Sequence, residues 1–308
     1  MRIVALADIH SDFAANSAWL EALSSEDHQR DVLILAGDVS HDLDVLLRVL
    51  EGLTRRFARV FFTPGNHDLW LTPGDSRSGE ASSDSWHKLQ RLLRECRRLG
   101  VGVKPERLGR GDDAVWIVPL LGWYAKAVDD HSLYRPLAGE DPRAMAWWSD
   151  SHRIHWPGDM CPAQGLLALN PPLPDDGAPV ITFSHFLPRG ELLTQGWPPA
   201  PRATGRGTRP RFNFSLVAGT TLLDAALRRR RALLHVYGHQ HRDRRRLLDG
   251  VLYVSHCLGY PREQARGWTN RALEEGPLPV WGLNPSRPLV SPWDGDGSPW
   301  PVMGAVVP

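Results

Sequence analysis

Three short apolar runs, at residues 3–7, 32–36 and 60–63, alternate with two stretches of helical apolar spacing at 13–23 and 42–53. A run of four or five apolar residues closed by a polar turn reads as a strand buried on both faces. Apolar residues at three- and four-residue steps give a helix one buried stripe. The order β-α-β-α-β therefore predicts parallel strands with helices packed outside them. Ser11 or Asp12 is available to cap the first helix. Further strands are expected at 114–119, 179–184 and 233–237, and a hairpin at 245–255 around Asp249-Gly250. Helices are expected at 85–99 and 220–231.

Each apolar run stops at a cluster of polar residues. Asp8-Ile9-His10, Gly37-Asp38, Gly65-Asn66-His67-Asp68, His185 and Gly238-His239-Gln240-His241 all follow strand ends. Open α/β sheets place their sites there. Asp8, His10, Asp38, Asn66, His185, His239 and His241 supply seven oxygen and nitrogen donors and no cysteine. That donor set suits a hydrolytic centre with two metal ions. Asp8 and His10 are two apart at a strand end, so both can point to one side. Asp38 is the natural bridging carboxylate, and Asn66 offers a neutral carbonyl oxygen. The glycines at 37, 65 and 238 let the backbone turn tightly enough for the side chains to converge.

In their order and placement these five motifs resemble the motif series of the calcineurin-like metallophosphoesterase superfamily. The resemblance covers roughly residues 1 to 70 and 178 to 256. It implies an α/β fold: a four-layer αββα sandwich of two mixed sheets. It implies one ion on Asp8, His10, Asp38 and His241, and a second on Asp38, Asn66, His185 and His239. It also makes His67 the non-ligand histidine that contacts substrate or protonates the leaving group. Asp68 would then hydrogen-bond the His67 imidazole and fix its orientation. Two divalent or trivalent ions, manganese, iron or zinc, would lower the pKa of a bridging water, and the resulting hydroxide would attack phosphorus in line.

The remainder of the chain bears on substrate. Residues 1–262 read as one domain, with an insertion at about 125–175 and a Pro/Gly/Arg-rich loop at about 187–211 as walls of the site. Residues 263–308, rich in Pro, Gly and Trp, read as a C-terminal extension packed on that domain. Arg189, Arg209 and Arg211 in the loop suit bidentate phosphate contact. Trp123 and Tyr124 offer flat faces to an apolar or aromatic moiety, although packing accounts for them more simply. The expected partner is a small phosphorylated molecule such as a nucleotide, with mono- and diester both open. A nuclease or nucleotide pyrophosphatase with the same centre, and a non-catalytic scaffold on the same fold, remain alternatives. A formal net charge of +1 over 308 residues gives no sign of a general nucleic-acid binder. Three scattered cysteines, a short N-terminal apolar run ending in an acid, and no long apolar window lead to the expectation of a soluble cytoplasmic protein.

Overall fold

The structure, a computed structural model, describes residues 1–73, 75, 83–137, 140–141, 143–193, 212–283 and 286–292. Among these, the strands are β1 (Arg2–Leu6), β2 (Val32–Leu35), β3 (Arg59–Phe62), β4 (Glu106–Leu108), β5 (Val115–Pro119), β6 (Val180–Phe183), β7 (Ala232–Tyr237), β8 (Arg244–Leu248), β9 (Val251–Ser255), β10 (Leu278–Gly282) and β11 (Arg287–Pro288). The helices are α1 (Ala14–Ala22), α2 (Leu43–Thr54), α3 (Ser85–Arg98), α4 (Asp150–Arg153), α5 (Pro162–Ala168), α6 (Thr221–Arg229), α7 (Pro261–Gln264) and α8 (Asn270–Glu275). No helix among the described residues is long and apolar enough to cross a membrane.

Two mixed sheets form, in the orders β11-β10-β1-β2-β3 and β4-β5-β6-β7-β9-β8. β1, β2 and β3 run parallel, as do β5, β6, β7 and β9. Strand alternation explains the layers. Ile3, Ala5, Val32, Ile34 and Phe61 share one buried cluster with Ile117, Ile181, Phe183, Leu234 and Val236, so the two sheets pack face to face. The alternate residues Val4, Leu6, Leu33, Leu35, Val60 and Phe62 join the leucines of α2 and α3 in the other cluster. Leu46, Leu50 and Leu92 are fully buried there, each worth roughly 1.5–3 kcal/mol of transfer free energy. The two sheets with helices outside make the four-layer α/β architecture.

Local signals account for most helix starts. The Asp42 carboxylate accepts from the Val45 amide at 3.0 Å at the head of α2, and Thr220 Oγ1 accepts from Leu222 N at 3.3 Å at the head of α6. The first helix departs from expectation. Its N-cap residue is Phe13, and no side chain caps it. Ser11 Oγ donates instead to the Val39 carbonyl, and Asp12 accepts from Ser40 Oγ at 2.6 Å. Both side chains tie the β1 loop to the β2 loop rather than to their own helix. The chain after residue 262, expected to lie on the domain as an extension, contributes β10, which pairs antiparallel with β1. Residues 293–308 lie outside the described residues.

Candidate metal centre

The donors stand at the C-terminal ends of β1, β2 and β3 in one sheet and of β6 and β7 in the other. The backbone there is forced into an unusual shape. Asp8, His10, Asp38, His239 and His241 have φ of 51°, 46°, 55°, 72° and 50°. Non-glycine residues enter this left-handed region at a cost of roughly 1–3 kcal/mol each, and do so where surrounding structure over-determines them. Here the restraint is a net of hydrogen bonds between loops: His10 N to Asp38 O at 2.9 Å, Gly238 N to His185 O at 2.9 Å, and His239 N to the Asp8 carboxylate at 2.9 Å. Two glycines are required by crowding. A Cβ on Gly65 would stand 2.1 Å from Asp38 Oδ1, and one on Gly238 2.7 Å from Asp8 Oδ2.

The side chains form two overlapping groups that could hold cations, Asp8–His10–Asp38–His241 and Asp38–His185–His239. Hydrogen bonds on the outer sides of the rings fix what points inward. His185 Nδ1 donates to the Ala36 carbonyl at 2.9 Å, leaving Nε2 bare. His239 Nε2 donates to the Val217 carbonyl at 2.9 Å, leaving Nδ1 bare. Those two bare nitrogens are 3.1 Å apart. Asn66 Oδ1 is 3.2 Å from His185 Nε2, and Asp38 Oδ2 is 3.4 Å from it. Four lone-pair donors thus converge with no hydrogen to share among them. Such a cluster is repulsive unless a cation sits in it, so these residues fit a metal ion.

The other group differs in one ring, His241, which two carboxylates flank. The His241 ring meets Glu263 Oε2 at 2.6 Å through Nδ1. Its Nε2 lies 3.0 Å from His10 Nε2 and 3.4 Å from Asp8 Oδ1. Burial works against a charge on His241, but Glu263 and Asp8 outweigh it and push its pKa up to about 10. The same carboxylates favour a metal cation at Nε2. Burial lowers His10, His185 and His239, which keeps them in the neutral, ligating form. Burial, then Asp68 and Asp8, push Asp38 well above the usual carboxylate range. Acids crowded in this way gain from a shared cation.

Residues 1–243 match the family model of calcineurin-like phosphoesterases. The chain belongs to that family. It is therefore a metallophosphoesterase, a hydrolase of phosphate ester bonds, and metal dependence is a property of the family. Over 306 residues it is 29% identical to the acyl-carrier-protein phosphodiesterase PptH of Mycobacterium tuberculosis, a match covering 88% of this chain and 83% of that protein. The crystal structure of the phosphopantetheinyl hydrolase PptH from the same organism superimposes with a TM-score of 0.65 at 26% identity, covering 86% of this chain and 92% of that one.

Within this phosphoesterase the other residues singled out from sequence fall into different places. His67 stands at the edge of the donor groups. Its Nε2 is 3.9 Å from Asp38 Oδ2, and its side chain is 12% exposed against 2% for Asp38. Its ring stacks on Trp70 with centroids 3.6 Å apart. Asp68 corrects the expectation that it would bond the His67 imidazole. Its carboxylate accepts four amides instead, from Asp38, Val39, Ser40 and Gly65, at 2.8–3.1 Å. A single-turn helix at His67–Leu69 carries Asp68 back under its own loop, so it holds two ligand loops together. Burial raises it to about 6 against the pull of those amides.

Trp123 is 3% exposed and packs on Phe186 and Trp156 with centroids 4.9 and 5.2 Å away. Tyr124 gives its hydroxyl to Asp150; burial first and then that carboxylate raise its pKa well above the ordinary value. The Arg189 guanidinium is held by Asp249 and Glu191, each at 2.6 Å. Arg209 and Arg211 lie outside the described residues.

Four contributors had escaped the sequence reading. Asp150 of α4 accepts from Asn66 Nδ2 at 2.9 Å and from Trp70 Nε1 at 2.5 Å, and from Trp148 Nε1 at 2.8 Å. It thereby fixes the Asn66 amide so that Oδ1 faces the centre. Glu263 orients His241. Trp70 underlies His67. Tyr260 sets its ring 4.5 and 4.6 Å from those of His10 and His241. The available signal was the Tyr260-Pro261-x-Glu263 spacing, a helix-start pattern with Pro at N1.

Proposed function

We propose that this phosphoesterase is a binuclear enzyme cleaving phosphodiesters, and that its substrate is the phosphopantetheinyl group carried on an acyl carrier protein. The observation that carries the binuclear reading is the pair of donor groups sharing Asp38. The 29% identity to a protein named for that activity, along 88% of the chain, supports the substrate. Asp8, His10, Asp38 and His241 would hold one ion, and Asp38, Asn66, His185 and His239 the other; manganese, iron and zinc all suit these donors. When bound, the ions supply positive charge for the phosphoryl oxygens and lower the pKa of a coordinated water.

The chain's own residues do the rest. Asp68 and Asp150 hold the ligand loops and the Asn66 amide in place before substrate arrives. Burial and the neighbouring histidines hold the pKa of the His67 imidazole well below its ordinary value; the negative charge of a bound phosphodiester would favour its protonated form, from which it would pass a proton to the leaving oxygen. The ring lies between Trp70 and the donor groups. Cys96, Cys161 and Cys257 are free thiols, which supports a reducing, cytoplasmic setting.

The test is incubation of the manganese-loaded protein with a phosphopantetheinylated carrier protein, followed by mass spectrometry. Bis-p-nitrophenyl phosphate, a dinucleotide and single-stranded DNA run beside it. Metal-dependent loss of the phosphopantetheinyl mass is the expected result. Turnover of the small diesters with an intact carrier protein would overturn the substrate. Silence on every ester would overturn the diesterase reading itself.

A further inference from the structure

Asp68 does not orient His67, so something else must. Stacking on Trp70 at 3.6 Å fixes the plane of the imidazole. It does not fix which edge faces the donor groups, because a flat ring in a slot can turn over. A polar partner decides that. The Tyr260 hydroxyl lies 3.3 Å from His67 Nε2, whereas the Asp38 carboxylate at 3.9 Å is beyond hydrogen-bond reach. We propose that Tyr260 is the positioning residue of His67 and sets the edge from which the leaving group is protonated.

The placement of Tyr260 is built rather than incidental. After β9 the chain runs along the end of β1, where Leu258 N donates to Ala7 O and Gly259 N to Asp8 O. This delivers the Tyr260 ring against His10 and His241. Tyr260 N then donates to Glu263 Oε2 at 2.9 Å, the same oxygen that holds His241 Nδ1. One turn thus registers His67 and a ligand histidine together. Arg262 covers the outer side of the Tyr260 ring at 5.0 Å. These residues lie beyond the 1–243 stretch that matches the family, so this clamp is contributed by the chain's own later segment.

The inference rests on the diesterase reading and adds to it a residue acting through His67. Its test is Tyr260→Phe, which keeps the ring and removes only the hydroxyl. With phenyl diesters whose leaving groups run from p-nitrophenol to phenol, kcat should fall more steeply with leaving-group pKa than in the wild type. At phenol the additional loss should be about tenfold, the lower end of what outer hydrogen bonds support, with KM unchanged. His67→Asn/Tyr260→Phe should be no slower than His67→Asn alone. In the metal-free protein, the His67 nitrogen chemical shifts should move in Tyr260→Phe. Equal loss for every leaving group, additive losses in the double variant, or unmoved His67 shifts would each overturn the proposal. If the wild type cleaves no diester, the functional reading has failed, and the nitrogen shifts still decide whether Tyr260 positions His67.

Discussion

Single hydrogen bonds decide what each ring and amide of this centre can do. Asn66 can present oxygen because its Nδ2 donates to Asp150 at 2.9 Å. His241 presents Nε2 because Glu263 holds Nδ1 at 2.6 Å. The two supports serve different donor groups, which gives a paired prediction. Asp150→Asn should weaken the ion proposed for Asn66 and His185, and Glu263→Gln the ion proposed for His241 and His10, each by about 10–100-fold. Titration of the metal-stripped variants by calorimetry reads both steps. Loss of both ions in either variant, or of neither, would refute separate supports. The donors themselves were readable from sequence because each sits within four positions past an apolar run. Asp150, Tyr260 and Glu263 were not. Their partners are 84, 193 and 22 positions away, and no local period links residues at such distances. Asp68 misled for the opposite reason. It neighbours His67 in the chain, but four amides claim its carboxylate.

At the scale of elements, the strands matter for where they stop. β1, β2 and β3 are short, and the loops after β1 and β2 turn within three residues into left-handed backbone at Asp8 and Asp38. The loops hold one another, so a change in one should displace ligands in its neighbour. Gly65→Ala is the sharpest case, since the added methyl would meet Asp38 Oδ1 at 2.1 Å. The expected outcome is a folded protein by far-UV circular dichroism with metal affinity lowered by at least about tenfold. Unchanged metal content after dialysis would refute it. The hydrophobic period revealed these strands and the α2, α3 and α6 helices because each buries a complete face. The cap expected for α1 does not form because Ser11 and Asp12 have better partners across the loop, Val39 and Ser40. Residues 125–175 showed no clean period, and the structure explains it: α4 and α5 are only 4 and 7 residues long, anchored by side chains such as Asp150 and Trp148 rather than by a repeating stripe.

Across the whole molecule, the two sheets press their inner faces together and leave the donors along one rim. The inner layer is apolar, whereas on the helix side of the second sheet one buried histidine sets a pH limit on stability. His235 on β7 is fully buried, with its ring nitrogens at 2.8 Å from Thr182 Oγ1 and 3.1 Å from Ser184 Oγ. Burial lowers its pKa to about 3. The unfolded chain takes up the proton near pH 6.5, and the native protein does not until far lower. The unfolded state therefore binds more protons between these values, and stability falls as pH falls through that window. At pH 5 the deficit amounts to about 2 kcal/mol, from roughly 1.5 pH units below the free imidazole value. His235→Asn removes the titrating group while keeping a partner for the hydroxyls. Thermal unfolding at pH 7.5 and pH 5, with chelator present so that proton competition at the metal ligands is the same in both proteins, isolates this term. The wild type should lose more stability than the variant over that interval, by about 2 kcal/mol. Parallel losses would mean that His235 takes up a proton in the folded state, and that the buried layer on the helix side of the second sheet tolerates a charge its apolar lining should reject.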